Sequence, residues 1–234
     1  EATVGNPLLN PMRAHNLDLG VEQLLGQDGA VSAYVFHKDI KDFTYATNLA
    51  GTGSWAGYTS VTGYANGPSA KVQGVELSYQ QQLRMLPGWM SGLLVGANAA
   101  FTHSTADVGR YDTVAQTALL RSTRLPGQSD TTINLMVGYE TGPLSARLAV
   151  NHKSKYLLAF GADVTNPAQD QIVAGQRQLD LSLSYKITPS VQLTFEGVNL
   201  NNEHYYTYVG VPSLNYQYEQ YCRTYKLGLK VALF

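Results

Sequence analysis

The side chains most densely placed for chemistry are aromatic hydroxyls. The stretch EHYYTYVGVPSLNYQYEQY (203–221) carries Tyr205, Tyr206, Tyr208, Tyr216, Tyr218 and Tyr221. Tyrosine buries a large rigid face at low entropic cost and keeps a hydroxyl for hydrogen bonding, which suits sugars and aromatic chelates alike. The same rings suit a girdle at a lipid–water boundary, and both readings stand. A second group, Arg110, Tyr111, Arg121 and Arg124, lies in the segment 105–129 and offers guanidinium forks to an anionic ligand. The alternative for that group is an ordinary solvated loop. The candidate ligand-binding set is therefore Arg110, Tyr111, Arg121, Arg124, Tyr205, Tyr206, Tyr208, Tyr216 and Tyr218.

Catalysis has less support. The histidines, His15, His37, His103, His152 and His204, have no i, i+2 or i, i+4 spacing, so a metal site would need loops to gather them. Asp18, Glu22, Glu76, Asp180 and Glu196 fall on polar strand phases, where cross-strand pairing with Arg147, Lys186, Lys226 and Lys230 explains them better than acid–base work. No nucleophile elbow, phosphate loop or zinc motif occurs. We expect no catalytic residue, no metal and no cofactor. The lone cysteine, Cys222, reads as a free thiol and excludes an intrachain disulfide framework.

Composition narrows the class. Charged residues make up 14 % of the 234, against about 25 % in ordinary soluble domains; Gly, Tyr, Asn, Gln, Ser and Thr fill the place. The net charge of −1 offers no excess of cations to a phosphate backbone, so nucleic acid is not expected as a partner. No signal peptide is read at Glu1, and no apolar run approaches the ~18 residues of a membrane helix. A membrane barrel hides its apolarity in alternation instead.

Alternation is what the chain shows. Leu17–Leu19–Val21, Val75–Leu77–Tyr79, Leu93–Val95–Ala97–Ala99–Phe101, Ile133–Leu135–Val137–Tyr139, Leu148–Val150, Leu179–Leu181–Leu183–Tyr185–Ile187 and Val191–Leu193–Phe195 keep period two, with polar or small residues between them. The pattern predicts about nine strands, near 14–24, 30–45, 69–84, 92–104, 130–140, 144–157, 178–187, 191–202 and 223–233. Connections alternate: tight turns at 25–28, 86–88, 141–143 and 188–190, long segments at 46–68, 105–129, 158–177 and 203–222. One end of an antiparallel meander is thus trimmed and the other carries long loops, as in outer-membrane barrels. The apolar phase, with Leu135, Leu181 and Leu229, should face lipid; the phase with Asn134, Ser182 and Gly228 should face a lumen. An odd number of hairpin-linked strands cannot close antiparallel on itself, and an open edge in lipid leaves backbone amides unpaired. Residues 1–13, with Pro7 and Pro11, make a poor tenth strand. The remaining strands are therefore expected upstream or on another chain.

Four stretches carry a resemblance. GNPLLNPMRAHNLDLGVEQ (5–23) is similar to the Asn-Pro-x-Leu-x-Pro segment that leads into a strand of TonB-dependent outer-membrane receptors. AKVQGVELSYQQQL (70–83) resembles their Gly-Val-Glu strand, and LSYKITPSVQLTFEGVNLNNEHYY (183–206) their penultimate hairpin with its Asn-Leu pair. Gln217–Phe234 resembles their final strand, although Phe234 is out of phase with Tyr225, Leu227, Leu229 and Val231. Met12 stands where the family often has an acidic residue.

The resemblance implies an all-β fold: an antiparallel transmembrane β-barrel segment, residues 1–234 forming the C-terminal portion of a larger plugged barrel, with no plug domain and no energy-coupling box in these residues. It further implies location in the Gram-negative outer membrane. The partners it implies are lipid, the remaining barrel strands and plug, the TonB energy-coupling complex acting through that plug, and a small-molecule nutrient. A ferric siderophore comes first among cargoes, an oligosaccharide second, with cobalamin also known to the family. A passive porin or a structural barrel is the rival from another class.

Overall fold

The computed structural model describes residues 1–51, 53–112 and 117–232, and within those not the side chains of 110–112, 117 and 118. Phe234 lies outside the described residues. In chain order the strands are β1 (Ala2–Thr3), β2 (Arg13–Leu24), β3 (Gly29–Lys41), β4 (Phe43–Asn48), β5 (Val61–Gly67), β6 (Ala70–Gln82), β7 (Leu93–Asp112), β8 (Thr117–Thr123) and β9 (Thr131–Thr141). There follow β10 (Leu144–Lys153), β11 (Tyr156–Ala159), β12 (Gln171–Val173), β13 (Gln176–Thr188), β14 (Val191–Val198), β15 (Tyr205–Val209), β16 (Asn215–Glu219) and β17 (Thr224–Val231). The only helical pieces among the described residues are short 3₁₀ turns at Gly53–Trp55, Gly88–Gly92 and Pro167–Gln169.

The main sheet runs β17-β14-β13-β10-β9-β7-β6-β3-β2, with β8 added beside the upper half of β7. Every pairing in it is antiparallel. The nine strands of that path are those the alternation predicts, in the same order. The sheet is not closed: among the described residues β2 and β17 each have one unpartnered edge.

Register makes the two faces continuous. Leu19, Val35, Val75 and Phe101 are direct cross-strand partners. So are Val95, Val137, Leu148, Leu181, Gly197 and Tyr225. On the other face, Glu22, Ser32, Ser78, Asn98, Asn134, Asn151 and Gln178 form one unbroken row across seven strands. The apolar face is open: Leu19 is 72 % exposed, Leu227 75 % and Leu229 64 %. A contiguous apolar surface of this extent is an aggregation hazard in water and the ordinary outer wall of a barrel in lipid.

Local sequence explains the strand geometry. In β6 a side chain at Gly74 would place its Cβ 2.3 Å from the Phe101 carbonyl and 2.7 Å from the Phe36 ring. The glycine of the Gly-Val-Glu motif thus lets the Phe36 ring lie flat across the polar face. Asp42, at φ 57°, bends the chain between β3 and β4, a left-handed conformation that Asp tolerates better than most residues. The predicted strand 30–45 is therefore two strands.

The long connections are corrected most. They are β structure, not irregular loops. β4 and β5 form a hairpin, with β1 laid parallel on β5. β7 continues past the main sheet to pair with β8. Segments 156–173 and 205–219 make a separate sheet in the order β11-β12-β15-β16. A small core ties the first of these layers together: Phe43, Tyr45, Ala70, Ala106, Val108 and Val164 are buried, with Phe160 and Leu125 against them. The Tyr45 hydroxyl donates to the Gly109 carbonyl (2.7 Å) and accepts from the Gly109 amide (3.0 Å). These segments could not be read as strands because their apolar residues sit singly among Gly, Asn and Ser, and their pairing partners are distant in sequence.

Candidate functional site

The turn after β14 sets the floor of the site. Asn199, left-handed at φ 59° and 8 % exposed, takes the amide of Glu203 on its Oδ1 (2.7 Å) and donates Nδ2 to the carbonyls of Glu203 (3.0 Å) and Cys222 (3.2 Å). Asn201 closes the top of β13, accepting from the Leu179 amide (2.9 Å) and donating to the Arg177 carbonyl (2.5 Å). The Asn-Leu pair at 199–200 is thus a structural knot that joins the start of β15 to the start of β17.

Above that knot lies a cavity of about 490 Å³. One wall is the polar face of the main sheet: Thr132, Asn134, Asn151, Lys153, Gln176 and Gln178. The other is Glu203, His204, Tyr205 and Tyr221. Asn134 donates to Asn98 (2.6 Å), and Gln178 donates to both carboxylate oxygens of Asp180 (2.9 and 3.0 Å). The Lys153 ammonium sits 4.1 Å above the Tyr156 ring, a cation–π arrangement. Burial raises the Tyr205 hydroxyl above the usual tyrosine range, helped by the neighbouring Tyr156 and Glu219; Tyr205 is therefore a neutral donor. The chemistry on offer is hydrogen bonding from amides and a phenol, aromatic stacking and one cation.

The tyrosines divide. Tyr205 lines the cavity. Tyr206, Tyr218 and His204 cluster beside it, with Tyr218 stacked on His204 at 5.3 Å and edge-on to Tyr206 at 6.4 Å. Tyr206 also donates to the Pro212 carbonyl (2.5 Å). Tyr208 is 4 % exposed and packs on Tyr206 at 6.1 Å, a core position of the small sheet. Tyr216 stands exposed near the hairpin tip.

The arginines do not gather with them. Arg121 makes a two-pronged ion pair with Asp170, Nη1–Oδ1 3.0 Å and Nη2–Oδ2 2.5 Å. It donates further to the Val164 carbonyl (3.2 Å) and to Thr123 (3.1 Å). With side chains 15 % and 5 % exposed, the pair is a clasp between β8 and the segment before β12. Arg124 turns to the apolar side of the sheet, contacting His103 Nδ1 (2.6 Å) and Asp130 (3.0 Å). The side chains of Arg110 and Tyr111 lie outside those described.

Of the expected cross-strand pairs, Lys226–Glu196 forms at 3.5 Å, while Arg147 takes Glu140 at 2.7 Å. Sequence reasoning missed Asn134, Asn151, Lys153, Gln176 and Gln178. Their signal was the polar phase itself, which becomes a row only once register is known.

The family comparison decides the identity. The family model described as "TonB dependent receptor-like, beta-barrel" matches residues 1–202. The chain belongs to the TonB-dependent receptor β-barrel family. Solved receptors share its fold. The copper transporter OprC superposes with a TM-score of 0.66 at 20 % identity, over 97 % of this chain and 33 % of OprC. The siderophore receptor PiuA from Acinetobacter baumannii gives 0.64 at 14 %, over 93 % and 28 %. The ferric-catecholate import receptor Fiu from E. coli K12 gives 0.62 at 18 %, over 95 % and 28 %. The receptor chain described here thus spans about a third of the length of these structures. No curated protein sequence matches it. Members of the family are outer-membrane transport receptors, not enzymes, and the apolar face of the main sheet has the character of their lipid-facing wall.

Proposed function

We propose that residues 1–234 form the C-terminal portion of the barrel of an outer-membrane active-transport receptor in a Gram-negative cell. A plug and the remaining strands complete it, and it is driven by the TonB energy-coupling complex through that plug. Its cargo is a scarce small nutrient, first a ferric siderophore. The observation that carries this reading is the cavity at the long-loop end, where Tyr205 and Tyr221 oppose Asn134, Asn151, Gln178 and Lys153. Flat phenolic faces and a lysine beside an amide wall suit an aromatic, anionic chelate. Several fold relatives are described as ferric enterobactin or siderophore receptors, which supports the ordering.

An oligosaccharide is the second reading. It is favoured by the neutral row Ser32–Ser78–Asn98–Asn134–Asn151–Gln178, since amides and hydroxyls match sugar hydroxyls without charge. Calorimetry of the complete receptor against a ferric siderophore panel and an oligosaccharide panel separates the two. Micromolar binding to sugars with none to siderophores reverses the order. Of the candidate residues, Tyr205, Tyr206 and Tyr218 are assigned to cargo contact, with Tyr216 at the entrance. Deleting 207–218 then abolishes cargo binding; a porin or purely structural barrel would be indifferent to that deletion.

A further inference from the structure

The polar face of the main sheet divides by charge. On β2, β3 and β6 it carries Asp18, Glu22, Lys38 and Glu76. Tyr34 donates to Glu22 (2.6 Å), and the Lys38 ammonium stands 5.7 Å from the centre of the Phe36 ring. Asp18 and Glu76 have no polar partner among the described residues. From β9 to β17 the balance reverses, because the carboxylates there are engaged. Arg147 takes Glu140 (2.7 Å) and Lys226 takes Glu196 (3.5 Å). Asp180 accepts from Gln178 (2.9 Å) and from the Asn199 amide (2.9 Å). Lys186 and Lys230 are exposed and have no partner among the described residues. With those pairs cancelled, the first wall keeps net negative charge and the second net positive charge.

Register brings the two free lysines together. Lys186 and Lys230 are both cross-strand partners of Gln192, one on each side of it, at the short-turn end. Two strand spacings put their backbones about 10 Å apart. The next row on the same face is Ser184, Thr194 and Gly228. A Cβ at 228 would stand 2.6 Å from the Thr194 hydroxyl, so the glycine keeps this row low. Beyond it lies Ser182, Glu196 and Lys226, with Arg147 on the other side of Ser182. Four residues of rise, about 14 Å, separate the two cationic rows. Between them is a shallow seat floored by hydroxyls and glycine, with two uncompensated ammonium groups at its mouth. The cargo cavity, with Lys153, lies at the opposite end of the same wall.

We propose that Lys186 and Lys230, with Thr194 and Gly228 above them, form a second anion site, occupied by a polyanionic metal chelate as it leaves the lumen at the short-turn end. Lysine suits such a site. Its ammonium is a point charge on a flexible stem and attracts an anion without locking its geometry, as a two-pronged arginine would. A confined surface of one sign concentrates counter-ions about tenfold or more, while the acidic wall of β2, β3 and β6 repels the same anion. That the occupant is the cargo rests on the anionic-chelate reading above; the site itself rests on the charges and their register.

The test uses the complete receptor in detergent, with Cys222→Ser removing the native thiol and Thr194→Cys carrying a nitroxide. Power-saturation spin resonance compares two relaxants, the trianion chromium(III) trisoxalate and the neutral nickel(II) ethylenediaminediacetate. At low salt the trianion should strike the label about tenfold more often than in the variant with Lys186→Gln and Lys230→Gln, while the neutral complex strikes both equally. Lys186→Arg with Lys230→Arg should keep the excess. In the receptor with both lysines the excess should vanish near 1 M salt, where the Debye length falls to about 3 Å; this second measurement does not depend on the folding of any lysine variant. A trianion no more frequent with the lysines than without them, or an excess indifferent to salt, overturns the proposal. A label that neither complex reaches overturns it too, since a protein segment, such as an acidic stretch of the plug, would then fill the seat. A trianion excess in a receptor whose calorimetry shows only sugars would overturn the chelate as occupant through the cargo reading alone.

Discussion

Replacing Arg121 by alanine should loosen the long-loop segments without touching the main sheet. The guanidinium donates four bonds: a two-pronged ion pair to Asp170, and one bond each to the Val164 carbonyl and to Thr123 within β8. Asp170 is 5 % exposed, so Arg121→Ala would leave a carboxylate buried and unpaired. Breaking one side of such a pair costs about 3–5 kcal/mol. Because the clasp joins local segments, the cost should appear as local opening rather than global unfolding. Two amides report it: Gly210, which donates to the Asp170 carbonyl (2.9 Å), and Gly127, which donates to the Leu157 carbonyl (2.7 Å). Their hydrogen exchange in the complete receptor should accelerate by about a hundredfold or more, at tenfold per 1.4 kcal/mol, while amides of β10 and β13 stay protected. Replacing both partners by apolar residues, Arg121→Met with Asp170→Leu, should recover most of the protection, since no charge is left stranded. Unchanged exchange in Arg121→Ala, or a double replacement as loose as the single, would refute the reasoning and return Arg121 to the pool of free ligand-binding groups.

Other outcomes follow from the same geometry. Leu181→Arg should cost about 2–4 kcal/mol in reversible folding into lipid if it sits near the midplane, and nitroxide labels at 181 and 182 should report lipid and water respectively; the reversed pattern would invert the barrel wall. Gly210 is held at φ 64° with the site of a Cβ only 2.4 Å from the Ala168 carbonyl, so Gly210→Ala should destabilise the β15–β16 hairpin by more than about 1 kcal/mol, seen as faster proteolysis between 205 and 219. The hydroxyl of Tyr205 is raised in the folded state, so its contribution is full below the ordinary tyrosine range and is lost as pH climbs through the raised value. Near-ultraviolet circular dichroism should show the Tyr-rich sheet loosening in strongly alkaline solution, later in Tyr205→Phe than in the wild type.

Much of this protein is decided by its sequence alone, because a strand buried on one face writes its register into alternate residues. Leu181 and Ser182, or Leu135 and Asn134, assign their faces without any partner, and the tight turns at 141–143 and 188–190 fix neighbours as antiparallel. The strand order of the main sheet was therefore legible, as were the apolar wall and the family motifs. Tertiary structure decided the rest. Asn98, Asn134 and Asn151 are unremarkable singly and become a ladder only when three strands align. Arg121 and Asp170 are 49 residues apart, and nothing local marks an arginine as clasped instead of free. Tyr205 and Tyr208 share a strand and a side-chain type, yet one lines a cavity and the other is core. That difference comes from what packs against each, which non-local pairing sets and composition cannot encode.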